Sequence, residues 1–267
     1  MDTKLTGIPE TMLIPLWARA AETGGAAPLV RDEKAVEMLS RIDYDFSKFR
    51  SARFSQLGVA VRTMLLDRAV RTFLDEHPGA CVINLGAGLD TRHARIGGAN
   101  VLWYELDLPE ALDVRRRFFA ENGRYRFLAK SVFDISWFDD VDTEGRETLL
   151  IAEGLFMYFE ERELKPLFAR IAERFPGGRM LVEVQGPGIV GKSRRHDSLS
   201  RLHNAPEFKW GTSDSRDLTR WSPSIELAEE WRFFDHRLDR AGMLGLLMRL
   251  PFMRKKYEPR IVLLRFK

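Results

Sequence analysis

The sequence predicts an α/β protein built on a doubly wound, mostly parallel sheet. Three observations point there. Apolar runs of strand length recur at 81–85, 101–106, 125–132, 148–153 and 179–185, as strands buried on both faces require. Helical patterns at 90–96, 109–121 and 160–175 fall between them, and strand–helix alternation winds into a parallel sheet. The first run also leads directly into a two-glycine turn, Gly86-Ala87-Gly88, where a sheet of this kind opens its ligand crevice.

Taken in order, residues 10–24 read as a helix with Met12, Leu13, Leu16 and Trp17 on one stripe, stopped by Gly24-Gly25. Asp32 caps a short helix through Ser40, and an aromatic-rich connection covers 42–54. A long helix from Ser55 to Glu76 repeats apolar residues at helical spacing until His77-Pro78-Gly79 ends it. Residues 79–185 then carry the alternation. Pro109 sits at a natural first helical position, and Glu160-Glu161 suit a positive helix start. The rhythm breaks over 186–222, a Gly/Pro-rich stretch that holds Phe208, Trp210 and Trp221. It reads as a lid over the crevice. Strands at 231–236 and 260–266 with a helix at 238–249 close the sheet as an antiparallel pair. The whole chain, 1–267, reads as one domain with a helical cover (1–78), a core (79–185), the lid (186–222) and a closing segment (223–267).

Composition narrows the function classes. An apolar fraction of 45% with 30% charged residues is that of a globular protein. A net charge of +3 gives no case for nucleic acid. No run reaches the roughly 18–20 apolar residues of a membrane span, so no membrane partner is expected. The basic cluster Arg254-Lys255-Lys256 reads as a solvated face. Met1-Asp2-Thr3-Lys4 lacks an apolar signal core and Cys81 is a single cysteine, which together suggest a reducing cytoplasm. The five histidines show no metal-ligand spacing, and no nucleophile elbow is present.

The glycine turn carries the chemistry. Asp107 ends the second strand run nineteen residues after Gly88, the spacing at which a carboxylate accepts from ribose hydroxyls. Position 91 is Thr, so the third glycine of a dinucleotide loop is missing, and no Gly-Lys-Ser/Thr follows to cradle a triphosphate. A nucleoside without phosphates remains, and S-adenosylmethionine fits that description. Arg62, Asp90 and Glu153 can pair with its charged methionine end. Glu153 follows the apolar run Leu149-Leu150-Ile151-Ala152, where an unpaired carboxylate is costly. Other readings stand beside these. Arg62 can face solvent, Asp134 can cap the turn at Ser136, and Arg19 can form a structural ion pair. Glu105, two residues before Asp107, can support the ribose site or hold the N-terminal helices.

The segments Thr-Met-Leu-Ile-Pro-Leu-Trp-Ala-Arg-Ala (11–20), Ile-Asp-Tyr-Asp-Phe (42–46), Asn-Leu-Gly-Ala-Gly-Leu-Asp-Thr-Arg (84–92) and Tyr-Glu-Leu-Asp-Leu-Pro (104–109) jointly resemble the leucine carboxyl methyltransferase superfamily. Within it the chain resembles the tetracenomycin-type polyketide O-methyltransferase branch, from about residue 10 to the C-terminus. The resemblance implies a class I methyltransferase fold with S-adenosylmethionine as donor and its homocysteine counterpart as product. It implies that Arg62 meets the methionine carboxylate and Glu153 the ammonium. Gly86, Ala87, Gly88 and Asp90 line the methionine and ribose. Asp107, with Glu105 and Leu108 beside it, takes the ribose. Asp134 takes the adenine amino group, with Ile135 against the ring. The expected acceptor is a small aromatic or polyketide-like molecule, methylated on a carboxyl or hydroxyl oxygen. A hydroxyl benefits from a base. His196, His203 and Tyr158 are the candidates, with Tyr158 and His203 put forward. The alternatives are methylation of a protein C-terminus, which wants an open groove, and a non-catalytic binding protein.

Overall fold

The five apolar runs become β1 (Cys81–Leu85), β2 (Leu102–Asp107), β3 (Tyr125–Ala129), β4 (Thr148–Ala152) and β5 (Arg179–Val184) in a computed structural model that describes residues 8–202 and 204–267. With β6 (Ile225–Arg232) and β7 (Arg260–Phe266) they form a seven-stranded sheet of order β3-β2-β1-β4-β5-β7-β6. β1 to β5 run parallel; β7 lies antiparallel between β5 and β6. Strand order therefore reverses between β1 and β4, the place where an open α/β sheet binds its ligand.

The helices are α1 (Ile8–Thr11), α2 (Leu13–Thr23), α3 (Glu33–Arg41), α4 (Arg53–Glu76), α5 (Arg92–Ile96), α6 (Pro109–Arg115), α7 (Trp137–Asp140), α8 (Glu161–Arg174), α9 (Gly242–Leu247) and α10 (Pro251–Tyr257). Alternate strand residues feed two cores. Val82, Leu149 and Leu181 pack with Val61, Leu65 and Val70 of α4. Ile83, Leu150 and Val182 pack with Leu164, Phe168 and Ile171 of α8. Local signals set the helix starts. Asp32 accepts from Ala35 N–H at 2.9 Å, and Glu160 with Glu163 closes a capping box on α8.

Four expectations change. β6 begins at Ile225 rather than at 231, and 233–235 is a 3-10 turn. Glu226, Glu229 and Glu230 masked this strand in the sequence, yet charge is what an edge strand carries to discourage further pairing. The helix expected at 238–249 is a 3-10 turn followed by α9, and α10 follows from Pro251. α6 stops at Arg115, whose side chain turns inward to Glu105. β3 stops at Ala129, and the Trp137 and Phe138 rings draw the next residues into the unforeseen α7.

Candidate functional site

The turn after β1 is shaped by close approach. Gly86 and Gly88 hold φ of +66° and +46°, a region that favours glycine. A Cβ on Gly86 would sit 2.7 Å from Leu155 Cδ1, and one on Gly88 3.0 Å from Met12 Cβ. Asp107, at the end of β2, reaches across to accept from Gly88 N–H at 2.6 Å and from Leu108 N–H at 2.7 Å. Burial raises its pKa, although both N–H groups favour the carboxylate.

Behind this turn lies a buried ion-pair network. Arg92 donates to Asp67 (2.9 Å), Asp90 (2.5 Å) and Glu153 (2.6 Å). Arg62 pairs with Glu153 at 2.7 Å and Glu183 at 3.0 Å. Arg19 donates to Asp32 at 2.8 Å and to the Leu89 carbonyl at 2.8 Å. Arg95 joins Asp32 and Asp67, each at 2.9 Å. Burial opposes ionisation of Glu153, but the Arg62 and Arg92 guanidiniums outweigh it and hold the carboxyl well below its ordinary value. Burial raises the Glu183 pKa against the pull of Arg62 and the Gly154 N–H.

A cavity of about 480 Å³ opens over the strand ends. Arg62, Gly86, Ala87, Gly88, Asp90, Asp107, Leu108, Glu153 and Tyr158 all line it. Three expected site residues do not. Glu105 is fully buried, holding Arg115, the Asn84 amide (2.8 Å) and the Tyr125 hydroxyl (3.1 Å). Arg115 in turn donates to the Gly88 carbonyl at 2.9 Å, so Glu105 shapes the loop from behind. Asp134 is exposed and accepts from Ser136 N–H at 3.1 Å, and Ile135 is exposed beside it. Neither is among the residues that line the cavity. His203 lies outside the described residues.

The far side of the cavity is apolar. Met157, Phe208 and Leu199 form one wall; Phe233, Phe234 and Met248 form another. Phe208 of the 186–222 segment stacks on Tyr158 at 5.5 Å between ring centres. Burial pushes the Tyr158 phenol up to about 12, against a hydrogen bond with Thr11. At neutral pH it keeps its proton and serves as wall or donor. His196 reaches the lining. Its Nδ1 lies 3.1 Å from Ser198 Oγ, and burial lowers its pKa against the pull of Asp197. Glu183 also lines the cavity and was passed over in the sequence, and His236, which reads there as a structural histidine, lines it too. Glu183 carried a legible signal, a lone acid in the apolar run Met180-Leu181-Val182, the same signal that singled out Glu153.

Residues 12–172 match the leucine carboxyl methyltransferase family model. The chain belongs to that family. This methyltransferase is 33% identical to the tetracenomycin polyketide synthesis O-methyltransferase of Streptomyces glaucescens, over 87% of the chain and 85% of the relative. It is 30% identical to an S-adenosyl-L-methionine-dependent methyltransferase of Gibberella zeae, over 91% of the chain and 88% of that protein. In fold it is similar to a putative methyltransferase from Thermobifida fusca, with a TM-score of 0.59, 16% identity and 94% of each chain covered. The methyltransferase fold is therefore the class I type, with the antiparallel β7 inserted between β5 and the edge strand β6. Among the described residues no helix is long and apolar enough to cross a membrane.

Proposed function

We propose that this methyltransferase transfers a methyl group to a carboxyl or hydroxyl oxygen of a small, largely apolar molecule of aromatic or polyketide type. Its donor is S-adenosylmethionine, which supplies a methyl group already activated on a sulfonium. One observation carries the reading: a polar glycine-loop half and an apolar half belong to one cavity of about 480 Å³, a size ordinary for a small-molecule site. Among the described residues, five carboxylates and three guanidiniums line it, an acidic excess that suits a cationic sulfonium. Asp107 offers a carboxylate already oriented by Gly88 N–H to the ribose hydroxyls. The adjoining Arg62 and Glu153 present opposite charges 2.7 Å apart, a match for the paired carboxylate and ammonium of an amino acid.

The protein's remaining task is alignment and exclusion of water. Tyr158, Phe208 and Met157 hold a flat acceptor from the apolar side. A carboxylate acceptor needs no base. For a hydroxyl acceptor His196 takes the proton, because its lowered pKa keeps the imidazole neutral near pH 7. Ser198 Oγ engages Nδ1 and leaves Nε2 to the acceptor. The name of the Streptomyces glaucescens relative supports an oxygen target.

The test is incubation with S-adenosylmethionine and a panel of aromatic carboxylic acids and phenols, with products read by mass spectrometry. A methyl adduct that alkali hydrolyses is an ester; one that resists it is an ether. Turnover of peptide C-termini with none of the panel methylated would overturn the reading.

A further inference from the structure

The outer face of the α9–α10 segment is unlike the rest of the surface. Five of the exposed large apolar side chains among the described residues fall within ten positions there: Met243 (81% exposed), Leu246 (64%), Leu247 (47%), Leu250 (43%) and Phe252 (66%). A patch of this kind on an otherwise polar surface marks a place of contact. Between residues 240 and 257 the sequence has five basic residues and no acidic one. Two of the five are already engaged: Arg240 with Glu22 at 2.7 Å, and Arg254 with Asp235 at 2.5 Å and Glu258 at 2.6 Å. Arg249, Lys255 and Lys256 are exposed and have no carboxylate partner among the described residues.

The chemistry of the segment selects the partner. Specific protein interfaces carry roughly one hydrogen bond per 100–200 Å². The stretch 240–257 contains no Ser, Thr, Asn, Gln, Asp or Glu, so apart from Tyr257 its polar side chains are all cationic donors. Apolar side chains flanked by unpaired cations are instead the composition that settles into the headgroup boundary of an anionic bilayer. We propose that the α9–α10 segment seats this methyltransferase on an anionic lipid surface. This goes beyond its chemistry and revises the sequence expectation that no membrane is involved. The inner side of the same segment supplies Ala241 and Met248 to the cavity lining, so docking sets the apolar half of the cavity against the bilayer. The contact itself is independent of which acceptor the cavity takes.

The full chain is to be sedimented with vesicles of phosphatidylcholine alone and of phosphatidylcholine with phosphatidylglycerol, at low and high salt. Partition onto the anionic vesicles is expected to be at least about tenfold stronger and to weaken with salt. The double variant L246E/F252E loses partition while keeping its circular dichroism and its affinity for S-adenosylmethionine. K255Q/K256Q loses mainly the salt-sensitive part. Three results overturn the proposal: no partition onto either vesicle, equal partition of the double variant, or a concentration-dependent dimer that L246E/F252E abolishes without any vesicle binding, which assigns the patch to a second copy of the chain.

Discussion

At the scale of single residues, Asp107 carries the largest share of the cofactor argument. One carboxylate oxygen is held by Gly88 N–H at 2.6 Å and the other by Leu108 N–H at 2.7 Å, so the group is fixed before any ligand arrives. Hydrogen bonds to a charged group contribute about 1.5–3 kcal/mol each. Asp107→Ala is therefore expected to weaken S-adenosylmethionine binding at least about tenfold in isothermal titration. An unchanged affinity removes Asp107 from the ribose site. His196 is expected to govern the acid limb of kcat/KM for a hydroxyl acceptor. Its pKa lies below the ordinary histidine value, so the rate holds through neutrality and falls as pH drops through that lowered value. His196→Gln should cut kcat by about 10²–10⁴, abolish that limb and leave cofactor affinity intact. A pH profile that survives the substitution ends the base assignment. Asp107 was legible because a strand end and a glycine turn are local features. The early end of β3 was not legible, since it depends on how Trp137 and Phe138 pack.

At the scale of elements, α4 and the 186–222 segment are joined by a cap supplied from far along the chain. Ala52, at the helix start, has no capping side chain. Asp197 fills that place, accepting from Phe54 N–H at 3.1 Å and Ser55 N–H at 3.2 Å, with Ser55 Oγ also bound. Its charge meets the positive end of the helix dipole. Asp197 adjoins His196, so the latch also positions the base. Asp197→Ala is expected to cost about 1 kcal/mol of stability and to raise KM for the acceptor more than it lowers kcat. Asp197→Asn should restore most of both, since Asn caps nearly as well. Equal kinetics in all three forms would show that the segment does not depend on this contact. The break in rhythm set the 186–222 segment apart in the sequence, but not the residue that fastens it.

Across the whole molecule, the buried charges set stability as well as the site. Asp67 pairs Arg92 and Arg95 at 2.9 Å each and lies outside the cavity lining. Removing one partner of a buried pair costs about 3–5 kcal/mol, so Asp67→Ala should lower the urea midpoint sharply. The pH dependence has two signs. Burial opposes ionisation of Asp32, Asp67 and Glu153, but facing guanidiniums hold all three below their ordinary values. Their contribution is present at neutral pH and is lost as pH falls below about 4. Burial instead raises Glu105, to about 7, and also Asp107 and Glu183. The folded state keeps protons there that the unfolded chain releases, so stability declines as pH rises from about 4.5 toward 7. Urea midpoints should peak in the mildly acidic range, and Glu105→Gln should flatten the upper slope. A midpoint that rises steadily from pH 4 to pH 8 contradicts this balance.

The sequence by itself determined the parallel core, the crevice and the donor class. Those rest on strand-length apolar runs, two glycines and an acid nineteen residues on, all of which are short-range patterns. Only the tertiary structure decided how the charges pair and that His196 and His236 reach the cavity. Arg62 meets Glu183 across 121 positions, and Asp197 meets Ser55 across 142. Buried charges require partners, but the need does not name the partner. That choice follows from which strand ends and helix starts the fold brings within reach.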